Sequence, residues 1–140
     1  MIDVKITEGA EGVVATDLSG FFVGWPHPPD DHGRLEILRA ATTAFVARDD
    51  AGRLVGFVTI VTDDVFAATI PLLEVLPEHQ HAGIGRRLVL AALDRVAHCY
   101  MVDLACDDDV VPFYERLGGT RLNAVSWRHH DRLAPPPELP

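Results

Sequence analysis

Residues 72–98, LLEVLPEHQHAGIGRRLVLAALDRVAH, constrain this chain more than any other stretch. They open with strand-forming Leu72, Leu73 and Val75, turn at Pro77, cross polar Glu78-His79-Gln80-His81 and enter a helix at Gly83-Ile84-Gly85. Ile84, Leu88, Ala91, Ala92 and Val96 then recur at helical spacing, with Arg86, Arg87, Asp94 and Arg95 off that face. A strand that passes through a glycine turn into a helix exposes first-turn N–H groups that lack partners inside the helix. The positive end of the helix dipole lies at the same place. Glycine lets an anion approach that backbone closely, and Arg86 and Arg87 add mobile positive charge. The physics predicts a phosphate or diphosphate site. Neither G-x-G-x-x-G nor G-x-x-x-x-G-K-S/T is present, which removes the main support for Rossmann and P-loop readings.

The string Gln80-His81-Ala82-Gly83-Ile84-Gly85 follows Leu73-Glu74-Val75-Leu76-Pro77-Glu78. Together they resemble the acyl-CoA pyrophosphate loop of the GNAT superfamily of N-acetyltransferases. That loop reads Arg or Gln, two spacers, Gly, one spacer, Gly or Ala, after a strand ending L-x-V-x-P-E. The resemblance implies that acetyl-CoA places its diphosphate on Gln80, His81, Ala82, Gly83, Ile84, Gly85, Arg86 and Arg87. It also implies that the main chain of Val75 hydrogen-bonds the pantetheine arm like an added strand. Pro71 has no N–H and predicts a bulge or splayed edge in the strand before the cradle. A flexible helix start is the bland alternative for the two glycines.

Pro112-Phe113-Tyr114-Glu115-Arg116-Leu117-Gly118 is a second motif. On a helix Val110, Phe113, Tyr114 and Leu117 share one face, a core stripe in the plain reading. It resembles the family's F-Y-x-x-L-G-F segment, whose tyrosine protonates the departing CoA thiolate, with Gly119 here in place of the final phenylalanine. That implies Tyr114 as general acid; a phenol titrating near 10 is protonated at neutral pH. A base is harder to place. An alkyl ammonium near 10.4 costs roughly 4.6 kcal/mol to deprotonate at pH 7. Glu74 is the lone polar side chain among Ile70, Leu72, Leu73, Val75 and Leu76, and burial there would raise its pKa. The alternative is a carboxylate paired with an arginine; Asp103 and His27 are further candidates.

His79 and His81 bracket Gln80 like a metal pair, but the turn supplies no carboxylate arrangement, so solvated loop histidines and no metal are expected. Cys106 reads as a buried structural cysteine rather than a nucleophile. Phe21, Phe22 and Trp25 could line an acceptor pocket with Asp30 and Asp31 attracting a cation, or simply form an apolar helix ending in an acidic loop.

The predicted order starts with a strand at residues 3–7, a helix within 8–24, a loop at 25–33 and a helix at 34–41. Strands at 43–48, 54–61 and 68–76 follow, then the main helix, a strand at 100–106, a short helix to about 117 and a last strand at 120–128. This is an α/β chain with a GNAT-like fold: a mixed, mostly antiparallel central sheet flanked by helices. With 140 residues it suits one domain, taken as 1–134, followed by a Pro-rich tail at 135–140. A formal net charge of −9 argues against nucleic-acid and anionic-membrane binding and suits a cationic substrate. Two cysteines and no apolar run of membrane-spanning length make the cytoplasm the expected compartment. The function expected is acetyl transfer from acetyl-CoA to a primary amine of a small molecule. Alternatives are a non-catalytic acyl-CoA sensor or a protein lysine or N-terminal acetyltransferase, and a homodimer is left open.

Overall fold

The computed structural model describes residues 3–133. Its central hairpin turns at Asp49, whose carboxylate accepts the N–H groups of Ala51 and Arg53 at 3.0 and 2.9 Å. This reverses the chain between β2 (Thr43–Arg48) and β3 (Leu54–Thr62), which pair antiparallel. β1 (Lys5–Glu8) adds to the far edge of β2. Every residue of β3 from Leu54 to Ile60 is buried, so both of its faces are covered. One face meets α2 (Ile84–Arg95): a Cβ built on Gly56 would lie 3.1 Å from Leu88, so the helix rests directly on the strand. The opposite face meets the N-terminal segment, where Phe21 packs edge-on against Phe57 with ring centroids 5.2 Å apart.

Leu88 is fully buried at the centre of the helix–sheet contact. Leu88→Ala should destabilise the fold by about 3 kcal/mol. Urea titration would show this as a lower midpoint at an unchanged slope.

The predicted central strand is broken in two. β4 (Ala67–Thr69) and β5 (Leu73–Val75) both pair with β3, and Pro71 lies in the gap, as its missing N–H requires. β4 also pairs in parallel with β6 (Met101–Asp103), giving the order β1-β2-β3-β4-β6 with β5 attached to β3 alone. The last bond towards β6 runs from the Ile70 N–H to the Asp103 carbonyl at 3.1 Å. Beyond it, β5 stays with β3 while the chain after Asp103 leaves the sheet. The sheet therefore parts at Pro71.

The helix expected within residues 8–24 does not form. A single 3-10 turn at Ala15–Leu18 stands there, and the backbone is left-handed at Gly12 (φ 79°) and at Phe22 (φ 63°). Buried Leu18, Phe21 and Phe22 have helical spacing, but left-handed backbone at Gly12 and Phe22 stops a right-handed helix. α1 spans Asp31–Ala40, three residues earlier than expected, because the Asp30 carboxylate caps it by accepting the Gly33 N–H at 2.8 Å. Arg34 fastens the irregular segment. Its guanidinium donates to the carbonyls of Leu18, Ser19 and Pro29 and lies 5.5 Å over the Phe22 ring.

At the far end of α2, Arg95 donates to both oxygens of Asp64 at 2.7 and 3.2 Å and to Glu8 at 3.2 Å, tying the helix to the β3–β4 turn and to β1. α3 (Val111–Glu115) follows a 3-10 turn at Asp108–Val110. The last strand expected at 120–128 is absent: these residues make no ladder, and Leu122, Val125 and Trp127 are exposed. Strand-forming side chains without a cross-strand partner do not hold a strand. The Pro-rich tail expected at 135–140 lies outside the described residues.

Candidate active site

Residues 80–87 carry the chain from the turn after β5 into α2. Gly83 sits immediately before α2 in the left-handed region at φ 84°, with no side-chain cap, and nothing lies within 4 Å of where its Cβ would point. His81 is also left-handed at φ 64°. With Ala82 between them, these two residues lead the chain into α2, whose opening N–H groups have no partner inside the helix; the first bond inside it is Arg87 N–H to the Gly83 carbonyl at 3.1 Å. His81, Ala82, Gly83, Arg86 and Arg87 are all exposed, while Ile84 is buried and Gly85 packs towards Leu73, Val75 and Phe113 at 3.8 Å. Gln80 is exposed but engaged: its side-chain amide donates to the Val75 carbonyl at 3.1 Å, which ties the loop to the strand before it.

Strand parity at β5 is regular. Register pairs Val75 with Gly56, Glu74 with Phe57 and Leu73 with Val58. Leu73 and Val75 therefore point to the α2 face, and Glu74 points with Phe57 to the face covered by the N-terminal segment. The N–H of Leu76 and the carbonyl of Leu72 bond to β3, so the main-chain groups of Val75 turn to the open edge where the sheet parts. Glu74 is half-buried, and that burial raises its carboxyl above the ordinary value; the Arg34 charge acts against it. Thr59 shares the Phe57 face, and its hydroxyl is buried with no hydrogen-bond partner among the described residues.

Tyr114 is half-buried on α3. Burial holds its phenol above the usual value and the nearby Cys106 sulfur pushes the same way. Both residues border a cavity of about 580 Å³ between α2, β6 and α3. Cys106 is exposed rather than buried as expected, and its thiol is raised, first by partial desolvation and then by the Asp107 charge. A raised thiol is a poor nucleophile at neutral pH. The cavity takes in Tyr114 and Asp103 but none of Glu74, Val75 or residues 80–87. Tyr114 and the cradle are linked instead through Phe113, whose ring packs edge-on to Tyr114 at 4.9 Å and reaches Gly85.

One expectation on the loop needs correction. His79 is no solvated loop histidine: it is 9% exposed with an unpartnered Nδ1, because the 3-10 turn at Pro77–His79 folds it inward. Asp30 and Asp31 serve the local structure: Asp30 caps α1 and Asp31 stands 3.6 Å from Arg34. Among the described residues no group of three His, Cys, Asp or Glu side chains converges as a metal site. Arg34 was missed by reading the sequence for motifs. Its one signal was being the sole Lys or Arg between Lys5 and Arg39.

Residues 11–119 match the model of the acetyltransferase (GNAT) family. The crystal structure of a candidate acetyltransferase from Deinococcus radiodurans R1 superposes with a TM-score of 0.90 at 44% identity, covering 97% of this chain and 95% of that one. A GNAT family acetyltransferase of Streptococcus pneumoniae TIGR4 gives 0.74 at 25% identity, covering 91% and 98%. An uncharacterized N-acetyltransferase, ycf52, of Pyropia yezoensis is 29% identical over 100 residues; these are 69% of this chain and 58% of that relative.

Proposed function

From the premise that the chain belongs to the GNAT acetyltransferase family, we propose that it moves an acetyl group from acetyl-CoA to a primary amine of a small cationic molecule. The observation that carries this reading is the break at Pro71. It leaves the Val75 N–H at an open sheet edge, beside a carbonyl that the Gln80 amide already occupies, a few residues before the left-handed helix start at Gly83. A diphosphate would meet the outward N–H groups of Gly83, Ile84 and Gly85 and the side chains of Arg86 and Arg87. The arm would run along Val75 as an extra strand does.

The amine approaches from the other face of β5, where Glu74, the Thr59 hydroxyl and Arg34 gather. Glu74 takes the ammonium proton directly or through water, and the free amine attacks the thioester carbon. The C–N bond forms and the C–S bond breaks as the Tyr114 hydroxyl donates a hydrogen bond to the sulfur; the nitrogen's second proton leaves through water to give the neutral amide, and the CoA thiolate takes up a proton on release. A net charge of −9 draws a cationic acceptor. The cytoplasm is the compartment this reading assigns. The competing reading is an acyl-CoA-binding module without turnover, favoured by the separation of the Tyr114 cavity from Glu74.

The test is the melting midpoint with acetyl-CoA beside ATP and NAD controls. At 100 times its dissociation constant a ligand adds about 2.7 kcal/mol, roughly 10 °C for a chain of this size. A rise selective for acetyl-CoA, followed by CoA thiol release with an amine, supports the enzyme. Selective binding with no thiol release across a panel of amines favours the binding module. An equal rise with ATP leaves a generic anion site and removes the reading.

A further inference from the structure

Two polar side chains stand alone in the apolar runs of neighbouring strands. From Leu54 to Ile60 in β3 every residue is buried, and Thr59 is the one polar side chain among them. From Ile70 to Leu76 the one polar side chain is Glu74. Register brings the two to one face. Phe57 pairs with Glu74, and the Thr59 N–H meets the Leu72 carbonyl at 3.0 Å, so Thr59 lies opposite Leu72. Side chains two positions apart share a face of the sheet, which makes Thr59 and Glu74 diagonal neighbours. Such neighbours stand about 7 Å apart, within reach of a long side chain.

Each group lacks what the other has. The Thr59 hydroxyl, on a residue 2% exposed, makes no hydrogen bond among the described residues. Valine would suit this strand position equally, without a buried hydroxyl left unpaired to oppose folding. Glu74 is half-buried, and only burial and the Arg34 charge act on its carboxyl; no hydrogen bond reaches it. Arg34 acts by charge alone because its guanidinium is committed to the carbonyls of Leu18, Ser19 and Pro29. The other charged groups nearby are turned elsewhere. Asp17 accepts the Val14 N–H at 2.9 Å, Asp31 stands beside Arg34, and Arg86 and Arg87 belong to α2 across the sheet.

We propose that Thr59 is a positioning residue for the base: when the acceptor displaces water from Glu74, the Thr59 hydroxyl donates to its carboxylate, fixing its direction and keeping it charged. This rests on the acetyl-transfer reading with Glu74 as base. In the free chain, water solvates the outer side of the carboxylate. An amine seated there excludes that water, and a carboxylate stripped of donors holds its proton. Arg34 cannot turn to it without releasing the three carbonyls that fasten residues 18–29. Thr59 has a free donor and gives up no partner. Pairing the two satisfies an orphan hydroxyl and an under-solvated carboxylate together, and a bond to an ionised acceptor is the stronger kind. The bond therefore belongs to the complex and not to the free chain.

The pH profiles of Thr59→Val test this, because kcat reports groups in the substrate complex and kcat/KM those of the free enzyme. Valine keeps the shape of the side chain and removes the donor. A donor to the charged form holds a carboxyl down, so its loss should move the acid limb of kcat up by about one pH unit. On that limb the variant then runs about tenfold below wild type. The acid limb of kcat/KM should stay in place, and the melting midpoint of the ligand-free chain should hold or rise. Thr59→Ser keeps the donor and should leave the kcat limb where the wild type has it. An unmoved limb in Thr59→Val, or the same movement in Thr59→Ser, overturns the inference while the acetyl-transfer reading stands. A ligand-free midpoint that falls in Thr59→Val also overturns it, since the hydroxyl would then already be paired in the fold. A wild-type chain that releases no CoA thiol with any amine removes that reading and this inference with it.

Discussion

Tyr114→Phe should lower kcat by about 100-fold or more and leave the melting midpoint and acetyl-CoA binding close to wild type. The size follows from what the hydroxyl can do. A phenol near 10 facing a thiol near 8.5 must give up its proton uphill by roughly 2 kcal/mol, and burial of Tyr114 widens that gap. Complete transfer is therefore not its main contribution. It donates a hydrogen bond to sulfur while charge develops, an interaction stronger in the transition state than with bound thioester, and such interactions appear in kcat. The raised phenol also sets the alkaline limit. The wild type should keep its activity past pH 10 as far as this group is concerned, and the variant should lack that limb. Equal turnover in the variant, with the same pH profile, would make Tyr114 a packing residue of α3.

Glu74→Gln is the complementary experiment. It should cut kcat/KM at neutral pH by about 100-fold and flatten the acid side of the profile. The direction of the shift gives the sign. Burial raises the carboxyl, so the charged form that accepts a proton is lost as pH falls through a value above the ordinary 4.5, and wild-type activity should fall there. Stability should respond the opposite way from activity. A carboxylate that burial disfavours burdens the fold once pH rises above its folded pKa, so Gln should raise the midpoint at pH 7 or leave it unchanged. A variant that loses stability and activity together would reassign Glu74 to an ion pair with Arg34. One that keeps full activity would send the search for the base to Asp103 or a water chain.

How far the sequence could be read depended on whether each segment carried its own partner. β2 is found over the predicted residues and β3 within one residue, because the Asp49 turn and two apolar runs specify each other locally. The start of α2 at Ile84 was equally legible, since a glycine with open space around it leaves few alternatives. Pro71 announced the break between β4 and β5 by its missing N–H. Residues 8–24 were misread because burial of Leu18, Phe21 and Phe22 looked periodic over a few positions, while the left-handed backbone at Phe22 depends on Phe57 and Arg34 far along the chain. The segment 120–128 was misread for a related reason: its side chains favour a strand, but among the described residues its main chain finds no backbone partner. In the site, Glu74 and the cradle were visible as chemistry in an apolar run. The burial of His79 was not, since nothing local distinguishes it from exposed His81.

The Arg95 clamp has a mechanical consequence. α2 is a beam bolted at one end, where Asp64 and Glu8 grip its last turn, while its first turn at Gly83 bears no side-chain cap. The polar side-chain ties of the helix are therefore gathered at its last turn, and the first turn is held by the packing of Ile84 and Gly85 alone. A diphosphate settling there supplies the second bolt. If a diphosphate binds there as proposed, any ordering it brings is confined to the first turn of a twelve-residue helix whose last turn is already clamped.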